Sequence, residues 1–171
     1  LVSSFILFIV LFKFGKYDFK SNIFEKLLTI FLGYLLIPLV LSIPFYFSIY
    51  NLTFSNSFFE AISGFTSTGF TVFDNIKLVD QSLIIWRSST QWIGGLYFLF
   101  SIIYLIDIYD DSFKKTLTNF ISFNSSEILK QATKIFILYS SLTILIFGVL
   151  NIFSIRTFDS LNLALTCLLY T

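Results

Sequence analysis

The amino-acid sequence predicts an all-α integral membrane protein built from repeated units of spanning helix, short re-entrant helix and spanning helix, with the last unit incomplete. Three observations carry that prediction. The 171 residues are 56% hydrophobic, 20% aromatic and only 12% charged, with a mean hydropathy of +0.86, whereas soluble domains average about 45–50% apolar and about 25% charged. From Leu27 to Phe59 no residue carries a charge. The hydroxyl-rich stretch Thr66-Ser67-Thr68-Gly69-Phe70 then separates two long apolar segments, and non-helical polar backbone at membrane depth is tolerated only where protein buries it or it lines a water-filled cavity.

Taken in order, Leu1 to Phe12 reads as the last half of a membrane helix, so residues 1–14 form the end of a preceding span, closed by Lys13, Gly15 and Lys16. The first full span is expected over 27–50, about 36 Å of helix at 1.5 Å per residue. Pro38 and Pro44 lie inside it and would kink it. Ser55-Asn56 can cap a second helix, in which Phe58, Phe59 and Ile62 recur at helical spacing until Gly64. Those ten or so residues, 55–64, cannot cross a bilayer, so the helix enters, stops at glycine and gives way to the polar segment 66–70. Its C-terminal end carries partial negative charge, which favours a cation in front of it. A row of backbone carbonyls there would replace the water shell of a passing cation, as in a K⁺-type filter.

A second span is expected over 83–106 with Arg87 near its start, then a polar linker over 107–134, a third span from about 135 to 155, and a short apolar element from Phe158 to Thr171. The order suggests an internal repeat, 26–106 followed by its first half over 135–171. Lys13, Lys16, Lys20 and Lys26 precede the first full span, and Lys114, Lys115, Lys130 and Lys134 lie between the second and third. By the positive-inside rule these loops are cytoplasmic and both short helices enter from outside. With no methionine and apolar runs at both ends, the chain reads as a fragment of a longer polypeptide.

Composition also excludes. The net charge of +1 gives no basic footprint for nucleic acid. With no histidine and the single cysteine Cys167, Cys/His metal sites and disulfide frameworks within the chain fall away. No clustered intramembrane carboxylates and no serine elbow point to an enzyme.

Glu60 is an ionisable residue in an apolar helix, which makes it functional by default. It either raises the local cation concentration or braces the polar segment by accepting hydrogen bonds. Arg87 either pairs with Glu60 or Asp74 or snorkels to the outer interface. Gly94 and Gly95 let helices approach closely or serve as a hinge. Trp86, Trp92 and Tyr97 read as interface anchors and packing, and Cys167 as a buried small apolar residue.

The run Phe58-Phe59-Glu60-Ala61-Ile62-Ser63-Gly64-Phe65-Thr66-Ser67-Thr68-Gly69-Phe70, followed by Trp86-Arg87-Ser88-Ser89-Thr90-Gln91-Trp92-Ile93-Gly94-Gly95, resembles the Trk/Ktr/HKT superfamily of potassium transporters, most closely its bacterial TrkH branch. Ser67 stands where that family usually has threonine, and Leu96-Tyr97 follows the glycine pair where glycine or methionine followed by glycine is usual. Glu127-Ile128-Leu129-Lys130 replaces the usual proline and arginine of the linker. The resemblance implies a four-repeat pore and K⁺ uptake. K⁺ would be held at Thr66, Ser67, Thr68 and Gly69, with Phe70 completing the filter, Thr171 at the mouth of a second one, and Glu60 and Arg87 in support. It further implies a multipass protein of the bacterial inner membrane, a homodimer at full length, and a cytosolic nucleotide-binding regulatory subunit. K⁺ is the transported ion and no cofactor is expected. The alternative is a non-conducting multipass scaffold or assembly subunit.

Overall fold

The computed structural model describes residues 23–48, 50–75, 79–106 and 128–167. Among the described residues all regular secondary structure is helical: α1 (Ile23–Leu41), α2 (Ile43–Tyr46), α3 (Phe54–Phe65), α4 (Gln81–Ile106), α5 (Ile128–Ile152) and α6 (Thr157–Cys167). The expected helix end over 1–14, the linker 107–134 up to Glu127, and Thr171 lie outside the described residues.

Among the described residues two helical stretches are long and apolar enough to cross a membrane, Ile23–Tyr46 and Ala132–Ile152. Helix α4 is longer still, at 26 residues, but Arg87, Ser88, Ser89, Thr90 and Gln91 make its first half polar. Helix α1 leaves Phe24, Phe31, Leu35 and Leu36 exposed, and α5 leaves Ile137, Leu138, Ile144 and Leu145 exposed. In water that surface would be unfavourable; in a bilayer it meets lipid or further protein.

The first apolar stretch breaks at Ser42, not at Pro38. Helix α1 runs through Pro38 to Leu41, and Pro44 then occupies the first turn of α2, where a missing N–H and a fixed φ are tolerated. Pro44 cannot bond back to residue 40 and its ring would crowd that carbonyl, so the helix restarts. The break is repaired locally: Ser42 Oγ donates to the Leu39 carbonyl at 2.7 Å and Trp86 Nε1 to the Leu41 carbonyl at 3.1 Å. Trp86 thus ties α4 to the break in α1, a role beyond interface anchoring.

Helix α3 begins one residue earlier than its apolar spacing suggests. Its cap is Thr53, whose Oγ1 accepts from the Asn56 N–H at 3.3 Å, while Ser55 and Asn56 lie in the first turn. Helix α3 packs on α1 and α4, and α6 packs on α4 and α5. A buried cluster of Leu41, Phe45, Ala61, Phe65 and Leu83 sits between α1, α2, α3 and α4. Below α3, Tyr34, Phe65 and Tyr97 form an aromatic trio with centroids 5.0–5.6 Å apart. Two glycines permit this packing. A Cβ on Gly94 would run into the Phe65 backbone, so main chains touch there, and one on Gly33 would run into the Tyr97 ring and hydroxyl. Tyr97 completes the second contact by donating to the Ile30 carbonyl at 3.0 Å.

Candidate functional site

Helix α3 ends at Phe65 and the chain doubles back through Thr66 to Phe70. The reversal is built from helix-end bonds: the N–H groups of Thr66, Ser67 and Thr68 donate to the carbonyls of Ile62, Gly64 and Ser63 at 2.8, 3.0 and 3.1 Å. Ser67 and Gly69 take positive φ, 57° and 80°. For glycine that costs little, whereas serine there carries strain of about 1–2 kcal/mol. Nothing lies within 4 Å of where a Cβ on Gly69 would sit, so its need for glycine is conformational and not steric.

Three side chains hold the segment from behind. Ser63 Oγ donates to the Phe70 carbonyl at 2.6 Å and accepts from Thr68 Oγ1 at 3.1 Å. Glu60, fully buried, accepts through Oε1 from Thr71 Oγ1 and the Val72 N–H, both at 2.5 Å, and through Oε2 from Arg87 Nε at 3.1 Å. Arg87, whose side chain is 23% exposed, also donates through one terminal nitrogen to the carbonyls of Gly69 and Phe70 at 3.2 and 3.0 Å. Among the described residues no hydrogen bond reaches the carbonyls of Thr66 and Thr68.

Of the partners the sequence allowed, Arg87 pairs with Glu60 and not with Asp74. Glu60 accepts from three donors, two on the returning segment and one on Arg87. A buried charge-assisted network of this kind is retained only when every member is satisfied, and no buried side-chain polar atom lacks a partner among the described residues. The structure brings Glu60, Arg87, Gly69 and Phe70 into one contact set, with Thr66 and Thr68 on the same turn. Sequence reasoning missed the roles of Ser63 and Thr71. The available signal was small hydroxyl residues flanking a buried carboxylate, whose spare acceptors require donors. Cys167 is exposed and not buried as its apolar neighbours suggest.

Comparison with known proteins adds an independent line. The TrkH cation transport protein family matches over residues 9–164, most of the chain. The chain belongs to this family. An uncharacterized cation transporter of Methanocaldococcus jannaschii is 28% identical over 145 residues, covering 79% of this chain and 29% of that protein. The Trk system potassium uptake protein TrkH of Escherichia coli is 34% identical over 82 residues, covering 47% of this chain and 17% of that protein. The TrkG protein of the same organism is 44% identical over 46 residues, covering 27% of this chain and 10% of that protein. The chain therefore spans less than a third of the length of these curated relatives. No solved structure matches it. Members of the TrkH family are membrane cation transporters and not enzymes, which agrees with the all-helical architecture and its lipid-compatible faces.

Proposed function

We propose that this chain carries part of the wall of a potassium uptake pore, with Thr66 to Phe70 as one quarter of its selectivity filter. The observation that carries the reading is the clamp of Glu60 and Arg87 behind a loop in which Ser67 and Gly69 are left-handed while Thr66 and Thr68 are not. Backbone that alternates in hand turns successive peptide groups to one side, as a row of cation-binding carbonyls requires. Among the described residues no donor takes the carbonyls of Thr66 and Thr68, which would hold K⁺, and the C-terminal end of α3 adds partial negative charge. Ser67 supplies a further carbonyl. Arg87 engages the carbonyls of Gly69 and Phe70, so these two set the outer rim; the Gly69 carbonyl keeps a second lone pair, while the Phe70 carbonyl gives its second to Ser63 Oγ. K⁺ would enter from outside, driven by about 2.3 kcal/mol per 100 mV of membrane potential.

The repeat reading draws support from α3 and α6. In the register that sets Ser160 on Ser57 and Ala164 on Ala61, all four residues are fully buried, and the N–H groups of both serines donate to the residue four before at 2.9 Å. We read 26–106 as a first pore unit and 135–171 as the start of a second, with Thr171 at its filter and the linker 107–134 on the cytoplasmic side. A bacterial inner-membrane location, a homodimer at full length and a cytosolic nucleotide-binding regulator rest on the family resemblance.

The test is uptake by the full-length protein in a host stripped of its own K⁺ uptake. The wild type should restore growth at low K⁺, and Gly69→Ser should lower uptake of K⁺ relative to Na⁺. Unchanged relative uptake would remove Gly69 from the filter. A wild type that moves neither ion would favour a non-conducting scaffold.

A further inference from the structure

Arg87 and Ser88 are consecutive on α4 and face different neighbours. Arg87 holds Glu60 and the carbonyls of Gly69 and Phe70. Ser88, 5% exposed, is hydrogen-bonded through Oγ to Asn162 Oδ1 on α6. A cavity of about 130 Å³ opens beside that contact, lined by Arg87, Ser88, Gln91, Asn162 and Thr166 among others, and Ser88 Oγ also lies 3.1 Å from the Ile84 carbonyl of its own helix. With space on one side, the hydrogen bond adds to the packing of α6 on α4 in holding the two helices at this level. Adjacent helical residues project about 100° apart from Cα atoms only about 3.8 Å apart. Whatever displaces Ser88 therefore displaces the base of Arg87.

We propose that Asn162 is a positioning residue for the filter segment. Through Ser88 and the α4 backbone it fixes where Arg87 sets the Gly69 and Phe70 carbonyls, so the second short helix tunes the selectivity of the first filter quarter. The inference rests on the filter reading given above. A built-in comparison exists one turn further along α4, where Trp92 Nε1 donates to Thr143 Oγ1 of α5 at 2.9 Å. That bond also joins α4 to the later part of the chain, but among the described residues Thr143 bonds Trp92 and Tyr139 and not the clamp.

The experiment measures the ratio of Rb⁺ to Na⁺ uptake by the full-length protein, per molecule in the membrane, in a host lacking its own K⁺ uptake. Ser88→Ala and Asn162→Leu should each lower the ratio about three- to tenfold, and the double variant should fall no further, because contacting residues couple non-additively. Ser88→Thr keeps the hydroxyl and should keep the ratio. Thr143→Val should lower the amount of protein and leave the ratio alone. An unchanged ratio in Ser88→Ala, a double variant that multiplies the two single effects, or an equal fall in Thr143→Val overturns the inference while the wild type still transports. Should Asn162→Leu fail to accumulate, the smaller Ser88→Ala change decides with its Ser88→Thr partner. A wild type that takes up no Rb⁺ overturns the filter reading and this inference together.

Discussion

Replacing Glu60 with glutamine keeps the size of the side chain and removes its charge. The three hydrogen bonds it accepts, two at 2.5 Å and one at 3.1 Å, all come from donors, and a glutamine amide offers one oxygen and one NH₂. If the oxygen stays with Thr71 and Val72, the NH₂ faces Arg87 donor to donor. A bond to a charged group contributes about 1.5–3 kcal/mol, and breaking a buried pair by removing one partner costs about 3–5 kcal/mol. Arg87 retains two carbonyl acceptors and is 23% exposed, which places the loss at the lower end, about 3 kcal/mol. For a chain of 171 residues about 2–4 °C of melting temperature follows each kcal/mol, so in this chain E60Q should melt roughly 6–12 °C below the wild type. Thermal unfolding of the detergent-purified chain, followed by tryptophan fluorescence, reads this directly. An E60Q chain melting within about 1 °C of the wild-type chain would refute the bracing role.

Three further substitutions probe the scaffold. Gly94→Ala places a methyl against the Phe65 backbone, which cannot rotate away, so overpacking should cost about 3 kcal/mol and sharply lower the protein recovered from membranes. Gly148→Ala meets open space on α5 and removes a flexible residue from a helix interior, so it should raise the melting temperature by the equivalent of about 0.5–1 kcal/mol. Thr53→Ala loses the cap on α3, worth about 1 kcal/mol, and should speed amide exchange in the first turn of that helix without changing the exchange of α5.

Much of this arrangement is legible in the chain because the membrane leaves few solutions. The uncharged run from Leu27, the short helix ending in glycine, and the hydroxyl segment after it follow from hydropathy, length and backbone satisfaction. The Glu60–Arg87 pair was one of several partnerships the sequence allowed; spacing alone could not choose between Glu60 and Asp74, since the choice depends on how the loop returns. The site of the helix break was harder to read, because Pro38 and Pro44 look alike in sequence. Only the local repair by Ser42 and Trp86 favours a restart at Pro44. The Ser88–Asn162 bond joins residues 74 positions apart, and no periodicity in the chain connects them.

The contact between Gly94 and Phe65 is main chain against main chain, and main chain has no rotamers to absorb a push. A bilayer that thickens or thins can tilt the helices embedded in it. Where α4 moves, the base of α3 has no compliant side chain in between and is carried along with it. The loop above would then ride through changes in lipid composition at constant internal geometry, insulated from the bilayer by the absence of one methyl group.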